Sequence, residues 1–355
     1  MPEPDPAAGF VPFAVTVRGG PERVETAHLG ALAVLAGDGR EVLALGDVGR
    51  ALPLRSTAKP FQLLALLLDG LERSPAQLAP LEDADLAVLM ASHSGEPRHT
   101  ERVAALLERY RLSAGELRCG AHPPFDRDTR HALIARGESP TALHCNCSGK
   151  HTAMLAVCRA RGWPLETYLD PGHPLQQRIE ALLCTLAGQP RPLPRSIDGC
   201  SLPTWWLPLR ALALLFARLA WPAGAPELEG RSAAAPLARL YRAAVAHPGL
   251  IAGRGRLDTR LMAACAGRVM AKTGAAGMYA MAVAPSAAYP RGLGIAFKIL
   301  DGDPDSSVRE VVAASVLERL GEAGEGIAAM TSRVLRNHRG LEVGRLEALA
   351  ALGRG

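Results

Sequence analysis

Leu54-Arg55-Ser56-Thr57-Ala58-Lys59-Pro60-Phe61-Gln62 closes a polar turn and opens an apolar run, Leu63 to Leu68. That step predicts the first turn of a buried helix. Ser56 and Lys59 are three residues apart and so share one helix face. Pro60 is admissible because first-turn amides have no intrahelical partner. A hydroxyl beside an amine at the mouth of a packed helix is one way to build a nucleophile with its own base. The plainer reading is a helix-capping serine next to a solvated lysine.

Residue usage bears on that choice. The chain carries 40 Lys+Arg, but only Lys59, Lys150, Lys272 and Lys298 are lysine. With nearly every generic positive charge written as arginine, a surviving lysine is expected where guanidinium will not serve. Arginine stays protonated in proteins, whereas a desolvated lysine can lose its proton and act as a base. Three of these lysines fall in short motifs: S-T-A-K, C-S-G-K and K-T-G.

A chain of 355 residues can bury a sizeable core. With 48% hydrophobic and 21% charged residues it reads as globular. The net charge of +5 is spread without a basic run, and aromatics are only 4%, so nucleic acid is not an expected partner. The start, Met1 to Gly9, is Pro-rich and acidic and lacks the apolar core of an export signal. Trp205 to Trp221 is the most apolar region, but it holds Arg210, Arg218 and Pro208. It is expected to be a buried helix and not a membrane span. A cytoplasmic setting follows as an expectation, in which the seven cysteines serve as thiols or ligands.

Along the chain, Phe13 to Val17, Leu32 to Leu35 and Glu41 to Leu45 read as strands, the last two joined at Gly37-Asp38-Gly39. Asp85 to Met90 is a buried strand or short helix, followed by a helix from about His99 to Arg111. Thr141 to His151, which includes Cys145-Asn146-Cys147-Ser148-Gly149-Lys150-His151, is the densest polar knot and leads into a helix, Thr152 to Arg161. It lacks the spacing of a phosphate loop. Asp198-Gly199-Cys200 is a polar turn. Arg268 to Thr273, Met278 to Val283 and Gly294 to Leu300 read as strands, with Lys298 as a structural or edge-strand charge. Asp305 to Leu320 is a final helix, and the tail after Gly321 carries no readable pattern. The order predicts an antiparallel sheet drawn from both chain ends, about 10–50 and 265–320, with a mainly helical insertion at about 96–265. Residues 1–355 are read as a single catalytic unit.

Three motifs stand in a set order: Ser56 with Lys59, Ser92-His93-Ser94, and Lys272-Thr273-Gly274. Serine β-lactamases and penicillin-binding proteins share this three-part arrangement. Together with Arg55, Gly95-Glu96, the Cys147 to His151 knot and Asp198-Gly199-Cys200, they resemble the L-asparaginase II family, over the chain up to its last helix. The resemblance implies an α/β fold of α+β type, serine β-lactamase-like, and L-asparagine amidohydrolase activity. Ser56 resembles the family's nucleophile and Lys59 its base. Ser92 and Lys272 resemble a second Ser–Lys pair. Cys147, Lys150 and Cys200 resemble a site that can hold zinc, which there positions the site and does not attack. Arg55, Asp198, Lys150, His151 and Gly274 fall on the substrate side, with Asp198 suited to an α-ammonium. Lys150 has two readings, a zinc ligand or a cation for the substrate carboxylate.

The family tends to form homodimers, so a homodimer binding a small amide is implied, with neither nucleic acid nor membrane as a partner. Backbone amides at Ser56 and near Gly274 are the expected oxyanion donors. Two departures from the family pattern stand out: Cys145 where Asn is more frequent, and Ala276 where an acidic residue is common. Two other classes compete. One is a β-lactamase or peptidase of the same fold, which the missing export signal disfavours. The other is a non-enzymatic zinc-binding module, which leaves the paired lysines without a role.

Overall fold

Leu29 to Ala36 is a run of small and branched apolar residues. Together with Val24 to His28 it forms the longest strand among the described residues, because such side chains suit a pleated surface buried on both faces. The computed structural model describes residue 5 and residues 7–71, 80–349 and 351–352. Most of the Pro-rich start at Met1 to Gly9, Met1–Pro4 and Pro6, lies outside the described residues.

In chain order the first elements are β1 (Val11–Val17), β2 (Val24–Ala36), β3 (Glu41–Leu45) and β4 (Ala51–Pro53). Then come α1 (Lys59–Leu68), α2 (Asp83–Leu89), α3 (Pro97–Arg109), α4 (Arg127–Ala135), α5 (Ser148–Arg161) and α6 (Pro174–Ala187). Short strands β5 (Arg195–Ile197) and β6 (Pro203–Pro208) precede α7 (Leu209–Ala220), α8 (Ala234–Ala246), α9 (Pro248–Ile251) and α10 (Leu257–Ala264). The chain closes with β7 (Val269–Thr273), β8 (Met278–Val283), β9 (Leu293–Ile299), α11 (Ser307–Arg319), β10 (Ser332–Arg336) and β11 (Glu342–Ala348).

The chain divides into two compact units. The sheet unit comprises Met1–Leu52, Pro208–Ala220 and Arg260–Gly355. Its strands run β10-β11-β1-β2-β9-β8-β7, with β3 also on β2. Every pairing in it is antiparallel, for example Leu32 opposite both Leu45 and Phe297. The sheet draws its strands from both the early and the late part of the chain. Helix α7 is apolar almost all round and lies against β2, β8 and β9. Gly294 admits it: a Cβ there would stand 1.9 Å from Ala213 O. Helix α11 packs on β1, β10 and β11, and is anchored by a buried pair, Arg309 Nε to Asp303 Oδ2 at 2.8 Å.

The helical unit comprises Pro53–Leu207 and Trp221–Thr259. Helix α2 lies at its centre, touching α3, α5, α8 and α9. Of the two readings of Asp85 to Met90, the short helix is the one observed; Glu82 and Asp85 cap it reciprocally. Gly149 lets α5 press on α2, since a Cβ there would meet Val88 O at 2.2 Å.

Four expectations need correction. Trp205 and Trp206 begin on strand β6, and the helix starts only at Leu209, after Pro208. Lys298 lies on β9, an interior strand between β2 and β8, where its amine binds Ala276 O. Helix α11 is not the last element. The tail after Gly321 supplies β10 and β11, whose largely exposed or half-buried residues mix charged and aliphatic types without a clear alternation. Finally, α7 belongs to the sheet unit, so the helical region is interrupted there.

Candidate active site

Ser56 follows a residue in a conformation that side chains rarely adopt: Arg55 has φ +60°. The turn closes through Ser56 N donating to Leu54 O at 2.9 Å, which skips only Arg55. Two bonds hold it open to nothing else. Leu54 N donates to Trp205 O at 3.0 Å, and Arg55 N donates to Thr204 Oγ1 at 3.0 Å. Such strain persists only where the surroundings over-determine it, and it clusters at active sites. Arg55–Ala58 is a 3₁₀ turn, and Lys59 is the first residue of α1. The Arg55 guanidinium reaches Asp198 at 3.2 Å, bringing together two residues that lie 143 positions apart in the chain numbering.

Lys59 is 1% exposed, which removes the reading of a solvated lysine. Its Nζ contacts Ala91 O at 2.5 Å, Ser92 Oγ at 2.9 Å and Asn146 O at 3.2 Å. The turn after α2 delivers Ala91 and Ser92, and Ser92 N is fixed by Ile251 O at 2.9 Å. The amine is thus paired with Ser92 and two carbonyls; none of these three contacts is Ser56.

Around the start of α5, Lys150 Nζ lies 3.2 Å from Cys200 Sγ, and Cys147 Sγ lies 3.2 Å from Asn146 Oδ1. Cys147 also shares hydrogen bonds with the Cys145 and Cys200 thiols. These bonds, helped by the charges of Lys59 and Lys150, hold it well below the ordinary thiol range despite burial. Hydrogen bonding to Cys119 and Cys147 pushes Cys145 up, and bonding to Cys147 with burial does the same for Cys200. Burial pushes Lys150 down, but the Cys200 and Cys147 sulfurs and Asp198 together leave it raised, as an ammonium.

Among the described residues, no three His, Cys, Asp or Glu side chains form a metal cluster. Cys147, Lys150 and Cys200 nonetheless gather two buried sulfurs of the type zinc takes and a buried amine, an unusual ligand. They fit zinc if Lys150 gives up its proton.

Buried imidazoles surround this cluster. His93 donates through Nε2 to Ser148 Oγ at 2.9 Å, because its Nδ1 accepts from Gly95 N at 3.2 Å. It stacks on His99 at 5.0 Å. His151 Nδ1 lies 2.6 Å from the Tyr168 hydroxyl. Burial holds all three below the ordinary histidine range.

In the sheet unit, Lys272 on β7 is fully buried, with Nζ 3.1 Å from Thr273 O. Gly274 N donates to Met278 O at 2.9 Å, and Gly274 O accepts from Arg309 Nη1 at 2.9 Å. The Ser56 and Gly274 amides, expected as oxyanion donors, both have backbone acceptors already, the one in its turn and the other in the β7–β8 hairpin. Ala276 has φ +54°. Its carbonyl is held by Lys298. The structure therefore gathers Arg55 with Asp198, Lys59 with Ser92, and Cys147 with Lys150 and Cys200. Sequence reading missed Asn146 and Tyr168, whose contacts are long-range or through backbone and leave no local motif.

A family model described as L-asparaginase II matches residues 14–348. No curated protein matches the sequence. Among solved structures, the chain is similar to Mglu in its native form, with 16% identity, 87% of this chain covered and a TM-score of 0.43. The chain spans 66% of the length of Mglu. It is also similar to a probable glutaminase from Bacillus subtilis complexed with 6-diazo-5-oxo-L-norleucine, with 15% identity, 76% of each chain covered and a TM-score of 0.32.

Proposed function

The chain belongs to the L-asparaginase II family, and on that premise we propose that it hydrolyses the side-chain amide of L-asparagine to L-aspartate and ammonia. The observation that carries this reading is Lys59: buried, and held 2.9 Å from Ser92 Oγ by two backbone carbonyls. Ala91 O and Asn146 O accept hydrogens from the nitrogen in either charge state. The remaining position faces Ser92. A neutral amine accepts the Ser92 hydrogen there, and an ammonium donates one, so a proton can pass without rearrangement.

In this mechanism Ser56 Oγ attacks the amide carbon and its proton passes to Lys59, directly or through Ser92. The tetrahedral oxyanion collapses, the C–N bond breaks, and ammonia leaves with a proton returned from the same group. Water then adds to the aspartyl ester, loses its proton to the same base, and releases Ser56 as the alcohol. Lys272 is assigned as a second amine by family likeness alone. Asp198 receives the α-ammonium. Arg55, Lys150 and His151 serve the α-carboxylate side, and Gly274 keeps a substrate-side role by family likeness alone.

Cys147, Lys150 and Cys200 would hold a zinc ion. Its contribution, when bound, is a fixed positive charge that positions the substrate. A cytosolic homodimer belongs to the same proposal and is carried by family likeness alone. Among the described residues no helix is long and apolar enough to cross a membrane.

The test is ammonia release from asparagine and glutamine. Ser56→Ala and Lys59→Ala are each expected to lose activity by about 10³-fold or more. Full activity in Ser56→Ala removes the nucleophile assigned here.

A further inference from the structure

Tyr168 and His151 are both fully buried, and their rings meet edge to face at 5.5 Å. The phenol oxygen accepts from Arg118 N at 3.0 Å and lies 2.6 Å from His151 Nδ1. Gln176 Nε2 donates to Tyr168 O at 2.8 Å, which fixes the tyrosine backbone from α6. His151 Nε2 is buried and has no hydrogen-bond partner among the described residues.

Counting hydrogens selects one state. If Tyr168 donates to Nδ1, the phenol is satisfied and the imidazole hydrogen sits on Nε2, leaving one buried group without a partner. If Nδ1 carries the hydrogen, the phenol must accept twice. Its own hydrogen then has no acceptor among the described residues, and the Nε2 lone pair is also orphaned. A doubly protonated ring leaves two orphaned donors. Each orphan costs about 1–3 kcal/mol, so the first state is favoured. An N–H left unpaired in the interior points to an acceptor that the fold does not itself supply.

We propose that Tyr168 is a positioning residue: by donating to His151 Nδ1 it fixes the Nε2–H tautomer, and that N–H is kept for an oxygen of the bound amino-acid substrate. The assignment of the substrate rests on the asparagine reading above; the assignment of the tautomer does not. Tyr168 touches no reacting atom and acts only through the imidazole.

The tautomer is read by nitrogen-15 NMR on histidine-labelled protein, with the His151 signals identified by their loss in His151→Gln. The expected spectrum shows a bare Nδ1 and a protonated Nε2, and both shifts move in Tyr168→Phe. A protonated Nδ1 in the wild-type protein, or unchanged shifts in Tyr168→Phe, overturns the proposal. Saturating L-aspartate is expected to move the Nε2–H resonance. An unmoved resonance in protein shown calorimetrically to bind aspartate means that the donor serves water alone, and overturns the ligand half. Failure to bind aspartate with the tautomer intact counts against the asparagine reading instead.

Kinetics give a separate check. Tyr168→Phe is expected to raise KM about three- to tenfold with kcat within about twofold, the scale of one weakened hydrogen bond. In the His151→Gln background, where an amide nitrogen stands in for Nε2 and there is no tautomer to fix, the same substitution is expected to be silent. An equal loss in both backgrounds shows a merely structural role. Thermal unfolding of each variant confirms that the comparison is between folded proteins.

Discussion

At the scale of single residues, the charge on the Lys150–Cys200–Cys147 cluster decides its chemistry. Burial lowers Lys150, but the sulfurs and Asp198 leave it raised, and hydrogen bonds from Cys145 and Cys200 lower Cys147. A zinc ion at these three residues would have to displace the Lys150 proton, so its affinity should fall as acid is added. Zinc binding followed by calorimetry is expected to weaken by about tenfold per pH unit for each proton displaced. Constant affinity between pH 8 and 6 would exclude Lys150 as a ligand. If the ion only positions substrate, a chelator should raise KM more than it lowers kcat; complete loss of turnover that zinc restores would point to a metal-activated attack. The sequence singled out Lys150 by its rarity among arginines; its grouping with Cys200, 50 positions away, came from the family resemblance, and the fold sets the two 3.2 Å apart.

At the scale of elements, close backbone approaches set where the functional groups lie. Gly149, one residue before Lys150, puts α5 directly on α2, the helix that leads into Ser92. An alanine there would drive its Cβ to 2.2 Å from Val88 O, and a backbone atom cannot swing aside. Gly149→Ala is expected to cost about 1–3 kcal/mol, measured as a lower urea midpoint. In the sheet unit, Arg309 on α11 ties Asp303 to the carbonyl of Gly274, at the end of the K-T-G motif. Arg309→Met would leave a buried carboxylate unpaired, at a cost of about 3–5 kcal/mol, visible in thermal unfolding. The K-T-G strand was readable from its own residues, and so was the serine helix. Arg309 was not, because an arginine in an arginine-rich chain gives no signal of burial. The edge strands β10 and β11 were missed for a related reason: their exposed residues carry no apolar alternation.

At the scale of the whole molecule, both units keep ionisable groups inside, and in the helical unit these include His93, His99, His151 and His173. His93 and His151 are held well below 6.5 by burial first, and His99 is also lowered, again mainly by burial. Each is neutral in the folded protein and free to protonate at about 6.5 once unfolded. Between the depressed folded value and 6.5 the unfolded state therefore binds more protons, and stability rises with pH. The contribution is complete above 6.5 and is lost progressively as pH falls from there. With each histidine adding up to about 1.4 kcal/mol per pH unit, a steep decline below pH 6 is expected. His99 is the most informative to change, since its Nε2 donates to Gly249 O at 2.9 Å while its Nδ1 has no hydrogen-bond partner among the described residues. A glutamine can keep the donor without a titrating group. Unfolding free energies of wild type and His99→Gln, taken from urea titrations between pH 5 and 8, should converge towards acid as the variant loses stability less steeply. Parallel curves would mean that His99 keeps its ordinary proton affinity in the fold, and that the acid sensitivity arises elsewhere.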